Sequence, residues 1–112
     1  DGMAADVKLS DMSPEIQRLI RLIHAVRFGR IEGLEVQNGR LAPAFKAKII
    51  RTLVPGKDKC LSWQTALPDC ALRIEVLEAI RFLENCTRAR VSIDVQNGLP
   101  VRLIVEEEGL AA

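Results

Sequence analysis

A chain of 112 residues, 48% hydrophobic and 28% charged with a formal net charge of +1, has the make-up of an ordinary folded domain with one core, which excludes a wholly disordered protein. No apolar run approaches the roughly 20 residues that cross a bilayer, and no charged-then-apolar leader is visible, so a cytoplasmic protein with no membrane partner is expected. Cys60, Cys70 and Cys86 are odd in number and too far apart for a C-x-x-C metal knuckle, which predicts free thiols rather than a disulfide framework.

Residues 1–12 lack periodicity and are rich in small and acidic side chains, so they are expected to form a disordered tail outside the fold. Ser13-Pro14-Glu15 then reads as a helix start: a capping hydroxyl, a proline at the first position where no N–H is needed, and an acid at the positive end of the dipole. Ile16, Leu19, Ile20, Ile23 and Val26 make one apolar stripe, and Gly29 is expected to end the helix. A strand should run from about Arg30 to Val36, reverse at "VQNG" and return through Arg40-Leu41, with Pro43 weakening the return because it cannot donate to a ladder. The stretch "FKAKIIRTLV" fits two periods. Phe45, Ala47 and Ile49 alternate with Lys46 and Lys48 as in a strand, while Phe45, Ile49 and Leu53 are spaced as on a helix; a strand is the expectation adopted. Residues 55–59 read as a turn and 60–68, with Trp63, as a linking loop.

Asp69 is placed to cap a second helix with the stripe Leu72, Val76, Ala79, Ile80 and Leu83, closing near Asn85. "ARVSIDV" follows as the clearest strand, then a second "VQNG", then "LPVRLIVEEE". A three-residue loop, Gln96-Asn97-Gly98, would set Val95 opposite Leu99, Ile93 opposite Val101, Val91 opposite Leu103 and Ala89 opposite Val105. That register is expected, because the two-residue alternative would face the apolar side with Pro100, Arg102 and Ile104. Each Asn-Gly pair sits where a hairpin must reverse, so it serves the backbone's need for positive φ rather than a ligand. The repetition predicts two helix–hairpin units, residues 13–54 and 69–108, within one α+β domain spanning 13–112. Two helices should lie on one face of an antiparallel sheet of four or five strands, each unit covering the apolar side of the other.

Residues 19–51, "LIRLIHAVRFGRIEGLEVQNGRLAPAFKAKIIR", resemble the YezD-like family of short uncharacterised bacterial proteins. The likeness rests on Val26-Arg27-Phe28-Gly29, Ile31-Glu32, Val36 to Leu41, Lys46 and Ile50-Arg51; Gly33 and Pro43 depart from the family pattern. It implies a small strand-rich module and brings no reaction with it. Residues 71–107 are more loosely similar to the closing helix and strands of sliding-clamp subunits, through Leu99-Pro100-Val101, in a chain far too short to be such a subunit.

No nucleophile, base and orienting set, phosphate loop or metal motif appears, so no catalytic residue, metal site or cofactor is expected and the protein is read as a non-enzyme. His24 reads as a partly exposed structural residue. Charge is uneven: from residue 61 onward acids outnumber bases eight to five, whereas residues 16–60 carry a large excess of Lys and Arg over Glu32, Glu35 and Asp58. Two functions follow. In the first, a protein-interaction or oligomerisation module sets this basic half against an acidic one (Glu75, Glu78, Glu84, Glu106, Glu107, Glu108) in a second copy or a protein partner, or adds a strand at a free sheet edge. In the second, Arg18, Arg21, Arg27, Arg30, Lys46, Lys48 and Arg51 form a surface for nucleic acid or another polyanion. The phenylalanines are expected in the core, leaving Trp63 as a stacking candidate.

Overall fold

The computed structural model describes residues 7–55 and 72–107. Two helices, α1 (Pro14–Val26) and α2 (Ile74–Glu84), cover one face of a five-stranded antiparallel sheet, an α+β fold. The strands are β1 (Gly29–Gln37), β2 (Arg40–Leu41), β3 (Lys48–Arg51), β4 (Arg88–Gln96) and β5 (Leu99–Glu107). Their order is β2-β1-β4-β5, and β3 pairs with the other end of the β1 edge that β2 occupies. The turn at 55–59, the loop with Trp63, the cap at Asp69, and Cys60 and Cys70 lie almost wholly outside the described residues.

The α1 stripe is buried as its spacing predicts: Ile16, Leu19, Ile20, Ile23 and Val26 meet Ile31, Leu34 and Val36 of β1. In α2, Val76, Ala79, Ile80 and Leu83 are buried beside Ala89, Val91, Ile93 and Val95 of β4. The two halves correspond position by position, with helix residues Ile16, Leu19, Ile20 and Ile23 matched sixty places on by Val76, Ala79, Ile80 and Leu83. After Gly33 the interval falls to fifty-nine, so that Leu34 matches Ile93 and the Asn38-Gly39 turn matches Asn97-Gly98. The change falls where β1 holds one extra residue, a bulge between Ile31 and Leu34 with Gly33 at φ +83°.

β1 and β4 pair antiparallel through the centre of the sheet, from Gly29 opposite Val95 to Gln37 opposite Arg88. Each hairpin turn consequently reaches across to the far half. Asn38 N–H donates to the Thr87 carbonyl at 2.6 Å and Gly39 N–H to that of Cys86 at 2.7 Å, just beyond α2. Gly98 N–H donates to the Arg27 carbonyl at 3.0 Å, just beyond α1. Both turns are two-residue loops with positive φ at Asn and Gly: 53° and 75° in the first, 54° and 72° in the second.

Several expectations are corrected. Residues 7–12 belong to the fold: Leu9–Asp11 make a single 3-10 turn, Leu9 is 1% exposed, and Met12 packs on the core. Helix α1 stops before Gly29, at Arg27, whose φ of 61° and ψ of −59° make a γ-turn closed by Phe28 N–H donating to the Val26 carbonyl at 2.7 Å. Ser13 is the N-cap residue, but its hydroxyl makes no capping hydrogen bond. Helix α2 begins at Ile74, with Arg73 as N-cap. Leu72 stands outside it, and its N–H donates to the Val7 carbonyl at 2.8 Å. The ambiguous stretch is strand only from Lys48, and Phe45 sits in the preceding loop, buried beneath Arg18.

The C-terminal hairpin adopts neither simple register. Its loop is Asn97-Gly98 alone, with Gln96 opposite Leu99 and Val95 opposite Pro100. The pairing then shifts, placing Asp94 opposite Arg102, Ile93 opposite Leu103 and Val91 opposite Val105. Val101 is the extra residue of a bulge beside Pro100, which has no N–H to give the ladder. The bulge restores apolar pairing on the helix side after a tight turn that would otherwise have reversed it.

Candidate interaction face

The face of the sheet away from the helices is mostly polar, with Ile50 and Ile104 among its charged residues. Arg30 Nε donates to Asp94 Oδ1 at 2.6 Å, with Glu32 3.4 Å from Arg30 Nη1 and Arg102 Nε 3.8 Å from Asp94 Oδ2. The hydrogen bond that Arg30 donates to Asp94, then the one it donates to Glu32, raises the Arg30 pKa and holds the guanidinium charged. Arg90 lies 3.5 Å from Glu35. Opposite charges thus meet within one chain: Arg30 with Asp94, and Glu35 with Arg90, both span the two halves.

The predicted basic residues are divided between surfaces. Arg18 and Arg21 project from the outer side of α1. The Arg18 guanidinium lies 4.2 Å from the Phe45 ring centroid and donates to the Pro43 carbonyl at 3.3 Å. Arg27 occupies the γ-turn at the end of α1. Arg30, Lys46 and Lys48 border a shallow hollow on the open face of the sheet, where Glu32 and Glu106 also lie. Arg51, opposite Gly29, is on the helix side by strand alternation. His24 is half-buried against the second turn, its Nδ1 close to where a Cβ on Gly98 would stand. Among the described residues, no three His, Cys, Asp or Glu side chains gather to hold a metal ion, and no helix is long and apolar enough to cross a membrane.

A different surface brings together three of the exposed apolar side chains, Phe82, Val101 and Val105. Between α2 and β5 runs a groove of about 610 Å³ lined by Glu75, Glu78, Ala79 and Phe82 from the helix and Pro100, Val101, Arg102, Leu103 and Val105 from the strand. The helix residues fall at i, i+3, i+4 and i+7, a second stripe beside the buried one. Phe82 is 61% exposed, Val101 53% and Ile74, on the first turn of the same helix, 64%. The core expectation for phenylalanine holds for Phe45 and fails for Phe82 and Phe28, which are exposed. The signal for Phe82 was its position: it lies off the Val76, Ala79, Ile80, Leu83 stripe, so burying that stripe turns the ring outward.

The groove ends at a sheet edge. β5 is the outermost of the strands, nine residues long, and among the described residues no strand pairs with its outer side. The opposite edge is blunted: Pro43 splits the return strand into two residues of β2 and four of β3. On β5, by contrast, Pro100 stands at one end and Glu106 and Glu107 at the other, leaving Val101 to Val105 interrupted by Arg102 alone. No family model matches this chain, and no curated protein or solved structure matches it.

Proposed function

We propose that this protein is a small non-enzymatic protein-interaction module, set in the cytoplasm, whose working surface is the groove between α2 and β5 together with the free β5 edge. One coincidence carries this reading: the longest unpaired strand edge among the described residues lies beside Phe82, Val101 and Val105, exposed apolar side chains of one groove. An extended partner added to β5 would gain main-chain hydrogen bonds from the edge and apolar contact from the groove. The internal correspondence of the halves supports an origin by duplication, in which one half kept its edge open and the other closed it with Pro43. Kinship of the first half with the YezD-like family is proposed from the resemblance alone.

The alternative, polyanion binding through the basic first half, has less behind it. A phosphate backbone needs cations on one surface, whereas Arg18 and Arg21 lie on the helix side, and Arg30, Lys46 and Lys48 lie across the sheet among carboxylates.

A photo-crosslinking benzoyl-phenylalanine placed at Phe82, with Arg21 on α1 as the control position, tests the interaction reading in the producing cell. Discrete protein adducts from position 82 and none from position 21 are expected. No adduct at 82, or the same pattern from both positions, would refute it.

A further inference from the structure

The β5 edge is complementary to itself in one register, and from this we infer that the partner on the groove is a second copy of the same chain, related by a twofold axis through Ile104. The inference rests on the proposed interaction face and names what occupies it.

Past the bulge, strand alternation puts Leu103, Val105 and Glu107 of β5 on the helix side, because they oppose Ile93, Val91 and Ala89; Arg102, Ile104 and Glu106 are on the open side. When two β5 edges pair antiparallel across a twofold perpendicular to the sheet, facing residues share a side, so the axis must pass through a residue. An axis at Arg102 sets two arginines against each other. An axis at Leu103 leaves Arg102 facing Ile104, and one at Val105 sets Leu103 against Glu107. With the axis at Ile104, Arg102 faces Glu106 of the other copy twice over, Leu103 faces Val105 twice, and Ile104 faces itself. That register alone joins opposite charges on the open side to Leu103–Val105 contact on the helix side, and leaves only Val101, at the bulged end, against Glu107 of the other copy.

The same arrangement joins two sheets into one and brings the two α2 grooves together over the seam. Phe82 and Val101, wet in the single chain, then come under cover. Unlike the 2.6 Å pair of Arg30, the Arg102 contact inside the chain is long, 3.8 Å to Asp94, and the Arg102 side chain is largely exposed.

Charge reversal tests the register in a way that intrachain effects do not mimic. R102E presents two acids along each edge and E106R two bases, so either variant alone should dimerise at least about tenfold more weakly than the natural chain by sedimentation equilibrium. Mixed in equal amounts, they should form a heterodimer, since Glu faces Arg at all four positions. A disturbance confined to each fold would leave the mixture as monomeric as its parts. Circular dichroism of each variant checks that it is folded. Independently, I104C in a C60S, C70S background should form a disulfide-linked dimer on mild oxidation, because Cα atoms directly opposite each other on antiparallel strands lie within disulfide reach.

A natural chain that stays monomeric up to about 0.5 mM, a concentration at which even sub-millimolar self-association registers, would overturn the inference. So would variants that fail to associate when mixed. Adducts from position 82 at twice the chain's mass agree with the dimer. Adducts only at other masses, with the chain monomeric, would overturn the dimer while leaving the interaction face in place.

Discussion

Replacing Gly39 and Gly98 by alanine, one at a time, separates what a hairpin turn needs from what its packing needs. Both glycines hold the same place in the same four-residue sequence, at φ of 75° and 72°. A Cβ in left-handed backbone costs about 1–2 kcal/mol in either case. Their surroundings differ. A Cβ on Gly98 would meet His24 Nδ1 at 3.4 Å, a side-chain atom that can move aside, whereas a Cβ on Gly39 would run into the backbone carbonyl oxygen of Glu84. The first turn must then lift away from the end of α2, which breaks the hydrogen bonds to Thr87 at 2.6 Å and Cys86 at 2.7 Å. At about 1 kcal/mol for each bond, Gly39→Ala should cost about 3–4 kcal/mol and Gly98→Ala about 1–2 kcal/mol. Urea unfolding with equal m-values for the two variants is the assay. Equal losses at the two sites would show that the first turn does not bear on α2 as described.

Cys86 and Arg27 make two more tests. Burial first, and Glu107 second, push the Cys86 thiol above its ordinary range. In a C60S, C70S chain, native Cys86 should be alkylated by iodoacetamide at least about tenfold more slowly than in the unfolded chain; equal rates would contradict its burial. Because the folded value is the higher, the unfolded thiol ionises first. The thiol's contribution to stability is whole below the ordinary thiol range and is lost as pH rises through that range to the shifted value, a decline that Cys86→Ala should flatten. Arg27 holds φ at 61° in its γ-turn, so Arg27→Gly should leave the melting temperature unchanged or raise stability by up to about 1 kcal/mol. A Gly variant less stable than Arg27→Ala would refute the strain.

Much of the architecture was readable because it is written in local periods. Ile16 to Val26 repeat every third or fourth residue, Ala89 to Val95 every second, and the Asn-Gly pairs mark reversals whatever surrounds them. Other features have causes that local periods do not carry. Leu9 lies in a single turn too short to show a period, and is buried because the helices leave room for it. Leu72 carries helical spacing yet stands outside α2, hydrogen-bonded to Val7, a partner sixty-five residues away. The β5 register needed two competing terms, the tight turn and the missing N–H of Pro100, and their joint solution was a bulge rather than a choice between loops. The basic residues were countable in the sequence, but the side of the sheet each would occupy depended on strand pairing that composition does not encode. Phe82 was the most legible of the missed residues, since a helical wheel places it beside the buried stripe.

The central position of the β1–β4 pair has a consequence for the protein's birth on the ribosome. Ile31 can pair early with Ile49 on one side, but its partner on the other side is Ile93, so about sixty further residues must be synthesised before the middle of the sheet can close. Until then the nascent amino-terminal portion can lay α1 on β1 but has the β4 edge of β1 uncovered, and chaperones or neighbouring nascent chains have the first opportunity to bind there. Slowing translation ahead of β4 should lengthen that vulnerable interval, whereas slowing it after β5 has emerged should leave the yield of native protein unchanged.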